Sequence, residues 1–322
     1  FLSGPGRNGN HLLISLLDNH PELPFSPGED DFLRTFLCDI NLNEEKTLKK
    51  IHDSKLNFDY VLSSSGQPGY NDENKFNKWY HVSKLHNDEK YNFFTDKHSG
   101  LQSNGSGHIK DFADLVPNID YESFKNNLMK DLLISENYSN FYSLFRIYLK
   151  NLNLLIKKNK SKNFTYDYIY TGSGLRRELF MLLANSDKII CLTPIRRFET
   201  FLPSFIARFN LESLNQEYLN LAWEHWRHKT IDYLKLQQKY PNNLFIIKFE
   251  DLINDRKKIL KKISSTLNIK FNVSMLKPTV IGKSTVGNSS FHNKKKNLFE
   301  EYNINLHKEY YDIINYLDKV SI

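Results

Sequence analysis

The stretch Phe1-Leu2-Ser3-Gly4-Pro5-Gly6-Arg7-Asn8-Gly9-Asn10-His11-Leu12-Leu13-Ile14-Ser15-Leu16-Leu17-Asp18-Asn19-His20-Pro21 decides how the rest of the chain is read. It starts in a strand, turns through a loop with three glycines and enters a helix whose leucines at 12, 13, 16 and 17 repeat with helical spacing. A strand, a glycine loop and a helix N-terminus make an anion cradle, because loop and first-turn N–H groups converge where the helix dipole is positive. Arg7 adds a full charge. The loop lacks the Gly-Lys-Ser/Thr of a nucleotide-triphosphatase, so no hydroxyl is placed to hold magnesium beside phosphates. An anion of lower charge that needs no metal suits it better.

Here the chain resembles the sulfotransferases that use 3′-phosphoadenosine 5′-phosphosulfate. Their 5′-phosphosulfate loop reads Arg/Lys-Ser-Gly-Thr before an apolar helix ending Asp-x-His-Pro. This chain has Arg7-Asn8-Gly9-Asn10 and then Asp18-Asn19-His20-Pro21, with two side-chain amides in place of two hydroxyls. A plain glycine turn capping a buried helix, with Arg7 solvated, is the alternative for the loop alone.

Further matches follow in order. Beyond His20-Pro21 the family places its general base, a glutamate in a Gly-Glu or Glu-x-x-Phe context. Gly28-Glu29-Asp30-Asp31-Phe32 fits both patterns, so the resemblance makes Glu29 the base. Acids in the first turn of a helix, where the dipole favours them, are the simpler reading of the same residues. Leu192-Thr193-Pro194-Ile195-Arg196-Arg197-Phe198-Glu199-Thr200 resembles the 3′-phosphate motif Arg-Asp-Pro-x-x-Arg-x-x-Ser. Aligned on Pro194, Arg197 takes the second arginine, Thr200 the hydroxyl, and Leu192 stands for the first arginine; Arg196 or Ser204 is the substitute. Phe249-Glu250-Asp251-Leu252 resembles the Tyr-Glu-Asp-Leu that ends a core strand, with acids read as capping the following helix. Pro278 to Lys283 and Gly287 to Phe291 resemble the C-terminal loop over the nucleotide, with Lys283, Asn288 and Ser289 as donors. Where some members have Glu-Lys-Thr-Pro, this chain has Ile169-Tyr170-Thr171-Gly172, so a lysine is missing.

The text between and around these motifs sets the fold class. Strands at 166–171, 188–193 and 244–249 alternate with helices at 175–185, 197–209, 215–240 and 256–267. This predicts an α/β fold in three layers, with a central parallel sheet and a largely helical insertion, and the resemblance adds the P-loop-like 5′-phosphosulfate loop. The 322 residues are read as one domain, with 34–160 the insertion that shapes the acceptor site. Within it helices are expected at 43–53, 121–135 and 138–158, and His98 and His108 are second-choice bases.

The resemblance implies transfer of a sulfuryl group from 3′-phosphoadenosine 5′-phosphosulfate to a hydroxyl acceptor, a carbohydrate or other small molecule. The donor residues it implies are Arg7, Asn8, Gly9, Asn10, His11, Arg196, Arg197, Thr200, Ser204, Lys283, Asn288 and Ser289. The alternatives are a catalytically weak nucleotide-binding protein of the same fold, or a P-loop small-molecule kinase. The net charge of +7 suits an anionic ligand, and no basic run interleaved with aromatics favours nucleic acid. No Cys/His or His/carboxylate spacing argues for a metal. Two distant cysteines, Cys38 and Cys191, are read as reduced, which gives a cytoplasmic expectation, or a lumenal one if an N-terminal anchor has been removed. No run of about 18 apolar residues is present, so no membrane span is expected.

Overall fold

The computed structural model describes residues 1–6, 8–24, 127, 130–131, 141–157, 176–209, 215–280, 283–284 and 308–322. The expected strand at 166–171, the helix opening at Glu29, the helix 43–53, most of the helix 121–135 and the loop histidines lie outside these residues. Helix α1 is Asn10–Leu17, α2 Phe141–Lys157 and α3 Arg176–Asn185; strand β1 is Cys191–Ile195. Then come α4 (Phe198–Phe209), α5 (Gln216–Lys239), β2 (Leu244–Lys248), α6 (Phe249–Asn254) and α7 (Arg256–Thr266). A 3₁₀ turn, Val273–Leu276, leads to the two-residue pair β3 (Thr279–Val280) and β4 (Lys283–Ser284), and α8 (Lys308–Val320) ends the chain.

The sheet is parallel throughout the described residues. β1 pairs with β2 from Cys191 opposite Leu244 to Ile195 opposite Lys248. Leu2 bridges Leu192 on one side, and Ser321 bridges Ile246 on the other. The spatial order is therefore the opening segment, β1, β2 and the chain end.

β1 runs two residues further than its sequence suggests, through Pro194. A proline is excluded from a central strand when its missing N–H faces a ladder partner. Leu192 N–H donates to Phe1 O at 2.9 Å and Cys191 N–H to Asn243 O at 2.6 Å. Even positions of β1 thus face the opening segment, which by Gly4 has already turned into the loop beside Pro194. No ladder bond is lost.

Strand alternation divides the core in two. Cys191, Ile195, Leu244 and Ile246 pack with α3, α4, α5 and α8. Leu2, Leu192 and Ile247 pack on the other face with α1, α6, α7 and the 3₁₀ turn. These are the three layers that the pattern of elements predicts. Every described side chain of α1 is buried, as in a helix rich in Leu and Ile; its Ser15 hydroxyl is satisfied by Leu12 O at 2.8 Å.

At the centre of the first layer stands Trp226, fully buried against Phe198, Trp223 and Tyr310. Its indole N–H donates to Arg196 O at 2.7 Å, tying α5 to the end of β1. Trp226→Phe removes that donor from a buried carbonyl and leaves a gap, so a loss of about 1–3 kcal/mol is expected in chemical denaturation.

Candidate anion site at the carboxyl end of the sheet

Parallel α/β sheets bind ligands outside the carboxyl ends of their strands. There the loop 4–9, the start of α1, the residues after β1, and the junction of β2 with α6 meet. Two glycines let the loop close. A Cβ on Gly4 would lie 2.8 Å from Pro194 O, and Gly9 has φ 100°, with a Cβ there 2.3 Å from the Phe249 ring.

Asn8 is fully buried and binds in two directions. Its Oδ1 accepts Arg196 N–H at 2.6 Å, and its Nδ2 donates to Gly6 O at 2.9 Å. One amide both accepts and donates, which a carboxylate does not. With its backbone N–H on Pro5 O at 3.3 Å, Asn8 fastens the loop, so its side chain is committed to protein partners. Asn10 is also buried, its Nδ2 donating to Gly4 O at 3.3 Å. Leu13 N–H is bonded to Gly9 O at 3.0 Å, and the N–H groups before it in α1 have no intrahelical acceptor.

Arg196 leaves the end of β1 into this space. Its guanidinium lies over the Phe249 ring at 3.6 Å from the centroid, and Nη1 donates to Thr200 O at 3.4 Å. Such stacking on an aromatic face favours arginine over lysine. Arg197 turns the other way: its Nη2 stands 3.9 Å from Asp318 of α8, which also binds Lys248 at 2.9 Å. Leu192, aligned with the family's first arginine when Pro194 is the anchor, lies inside β1 with its side chain in the core. The first arginine past the strand is Arg196, and Ser204 is buried two turns along α4.

Glu250 crosses from α6 to the start of α4. Its Oε1 accepts Arg197 N–H at 3.1 Å and the Thr200 hydroxyl. Thr200 Oγ1 also lies 3.1 Å from Arg197 O. A single hydroxyl proton serves one of these at a time. The expectation that the acids of this motif cap the following helix, 256–267, is thus corrected for Glu250: α7 has no side-chain cap, and the carboxylate binds the start of α4 instead. Burial pushes the Glu250 carboxyl up, opposed by the Thr200 hydroxyl, the N–H groups of Glu250 itself and Arg197, and the charge of Arg196.

Asp18 and His20 hold the far end of α1. Asp18 Oδ2 accepts from Thr279 at 2.9 Å, where β3 begins. His20 Nδ1 accepts Glu22 N–H at 3.1 Å, which makes Nε2 the donor to Lys270 O at 2.8 Å. β3 pairs with β4, in which Lys283 stands opposite Val280. Of the expected site residues, the fold brings Asn8, Gly9, Asn10 and Arg196 together and carries Arg197 away. Arg7, Glu29, Asn288, Ser289 and the side chains of His11 and Lys283 lie outside the described residues. Phe249, Glu250 and Trp226 were not singled out for the site; the Phe249-Glu250-Asp251-Leu252 match was the signal for the first two, and nothing local marks Trp226. Among the described residues no cluster of His, Cys, Asp or Glu is arranged to hold a metal, and no helix is long and apolar enough to cross a membrane.

Two outcomes follow from this packing. Gly9→Ala forces a side chain into a left-handed turn against an aromatic ring, so a loss of about 1–3 kcal/mol is expected in thermal or urea unfolding. Glu250 favours its protonated form in the fold, so the stability it contributes is complete below its unfolded pKa and is lost as pH rises through its folded value. The Tm of Glu250→Gln relative to the wild type should therefore rise as pH rises above the ordinary carboxylate range.

Comparison with known proteins agrees with the architecture. Residues 187–314 match the family model described as the sulfotransferase domain. Among solved structures, the sulfotransferase domain of the Synechococcus PCC 7002 olefin synthase superposes with a TM-score of 0.53 at 16% identity, covering 99% of this chain and 92% of that one. The sulfotransferase domain from the curacin biosynthetic pathway gives 0.51 at 16% identity, covering 99% and 96%. No curated protein matches the chain. The chain has the sulfotransferase fold, and its residues 187–314 match the sulfotransferase domain model.

Proposed function

We propose that the chain is a sulfotransferase that moves a sulfuryl group from 3′-phosphoadenosine 5′-phosphosulfate to a hydroxyl on a carbohydrate or other small molecule. The observation that carries the reading is the convergence of the glycine loop, the first-turn N–H groups of α1 and the Arg196 guanidinium at one end of the sheet. This donor set fits an anion, and among the described residues it contains no built metal site. The donor molecule, as substrate, supplies the sulfuryl group and a 5′-phosphate as leaving group.

In an in-line transfer, negative charge grows on the bridging oxygen of that phosphate. Arg7 and the N–H groups from Gly9 to Leu12 are the donors proposed to meet it, each worth about 3 kcal/mol in the transition state. Glu29 is the proposed base for the acceptor's hydroxyl proton. Arg196 and Ser204, on the strand end and α4, are proposed for the 3′-phosphate, and Lys283, Asn288 and Ser289 for the nucleotide's outer face. The whole chain is read as one domain, with 34–160 shaping the acceptor site.

Adenosine 3′,5′-bisphosphate should raise the Tm while Mg-ATP does not; the reverse result would favour a kinase. With labelled donor and an acceptor panel, Arg7→Ala and Glu29→Ala should each lower transfer by about 100-fold or more. Bisphosphate binding with no transfer by the wild type to any acceptor would leave a nucleotide-binding protein.

A further inference from the structure

We propose that Glu250 is a positioning residue for the anion site, anchoring the start of α4 and taking a proton from solvent when an anion binds against Arg196. The inference rests on the donor-binding reading above. Its basis is the division of labour between the two carboxylate oxygens. Oε1 carries both anchoring contacts, to Arg197 N–H and to the Thr200 hydroxyl. Oε2 is buried and has no hydrogen-bond partner among the described residues. A proton on Oε2 therefore leaves the anchor on Oε1 in place.

The surroundings decide when that proton arrives. Arg196 bears on Glu250 through its charge, Arg197 through its backbone N–H and Thr200 through its hydroxyl. From α8 come Tyr310, bonded to Glu199 and held neutral by burial and that contact, and Asp318, which is paired with Lys248. Asp251 lies on its own helix, salt-bridged to Lys248 at 3.0 Å. The surface acids have cations of their own; the Thr200 hydroxyl and backbone N–H groups sustain the Glu250 carboxylate most, and Arg196 is the positive charge that adds to them. A phosphate bound at Arg196 offsets that charge and adds negative potential, and burial then favours the protonated acid. Arg196 is held over Phe249, the residue preceding Glu250, so the guanidinium and the carboxyl group are attached to one junction.

Isothermal calorimetry with adenosine 3′,5′-bisphosphate, in two buffers of different ionisation heat, counts the protons exchanged. The wild type should take up more protons than Glu250→Gln, which keeps an acceptor for the anchor and cannot titrate. Between about pH 8 and about pH 5 the wild-type affinity should gain on the variant's, by at most about tenfold per pH unit. Glu250→Ala, which loses the anchor, should bind more weakly than Glu250→Gln. Equal proton counts for wild type and Glu250→Gln, or equal affinity for the Ala and Gln variants, would overturn the role of Glu250 while leaving the donor reading intact. A wild type that binds no bisphosphate overturns both.

Discussion

The hydrogen bond from Arg196 N–H to the Oδ1 of Asn8 joins residues 188 positions apart, in the first loop and at the end of β1. The rest of the site depends on it. A loop of glycines has little conformational preference of its own and costs entropy to order. Here it is fixed by a fully buried amide that meets Gly6 O and the strand end together. The bond also fixes the backbone of Arg196 from one side while the Trp226 indole holds its carbonyl from the other. A long cationic side chain is thereby launched from a rigid point.

Phe249 extends the same constraint to the third strand-end segment. Its ring fills the space that a Cβ at Gly9 would need and forms the platform for the Arg196 guanidinium. One aromatic side chain thus dictates a glycine in the loop and an arginine after β1. The adjacent Glu250 binds the start of α4, so the loop, β1, α4 and α6 are locked at a single corner. Such preorganisation matters for charge stabilisation because donors already aimed at an anion do not have to reorganise during a reaction.

Much of this was legible in the sequence. The leucine spacing of α1, the apolar strands and the helices after residue 175 follow from periodicity, and their observed limits fall within about one residue for α3 to α5 and α7. β1 was misjudged at its end because a proline normally closes a strand; the rule fails where the neighbouring segment has already departed. The partners of Asn8 and Glu250 were not legible, since they lie 188 and 53 residues away and nothing local specifies them. Phe-Glu-Asp-Leu reads as the end of a strand whose acids cap the next helix, 256–267, whereas Glu250 binds the start of α4. The insertion gave the weakest signal. Of its expected helices, 138–158 corresponds to α2.

The adjacent arginines show how strand periodicity sorts chemistry. Residues 192, 194 and 196 share one side of β1, the side on which α1 and α6 pack. Leu192, deep in the strand, meets that layer as core. Arg196 is one step beyond the last strand residue, and its side chain is buried with its guanidinium resting on Phe249. Arg197 has the opposite parity and goes to the α8 side, where Asp318 balances it. Aligning the motif on Pro194 assigns the first arginine's place to a residue that must be apolar, since its side chain packs between the sheet and α1. Aligning it on the strand end instead assigns the cation to Arg196, whose N–H is anchored to the loop by Asn8. The geometry of the strand, rather than the proline within it, determines which arginine stacks on Phe249.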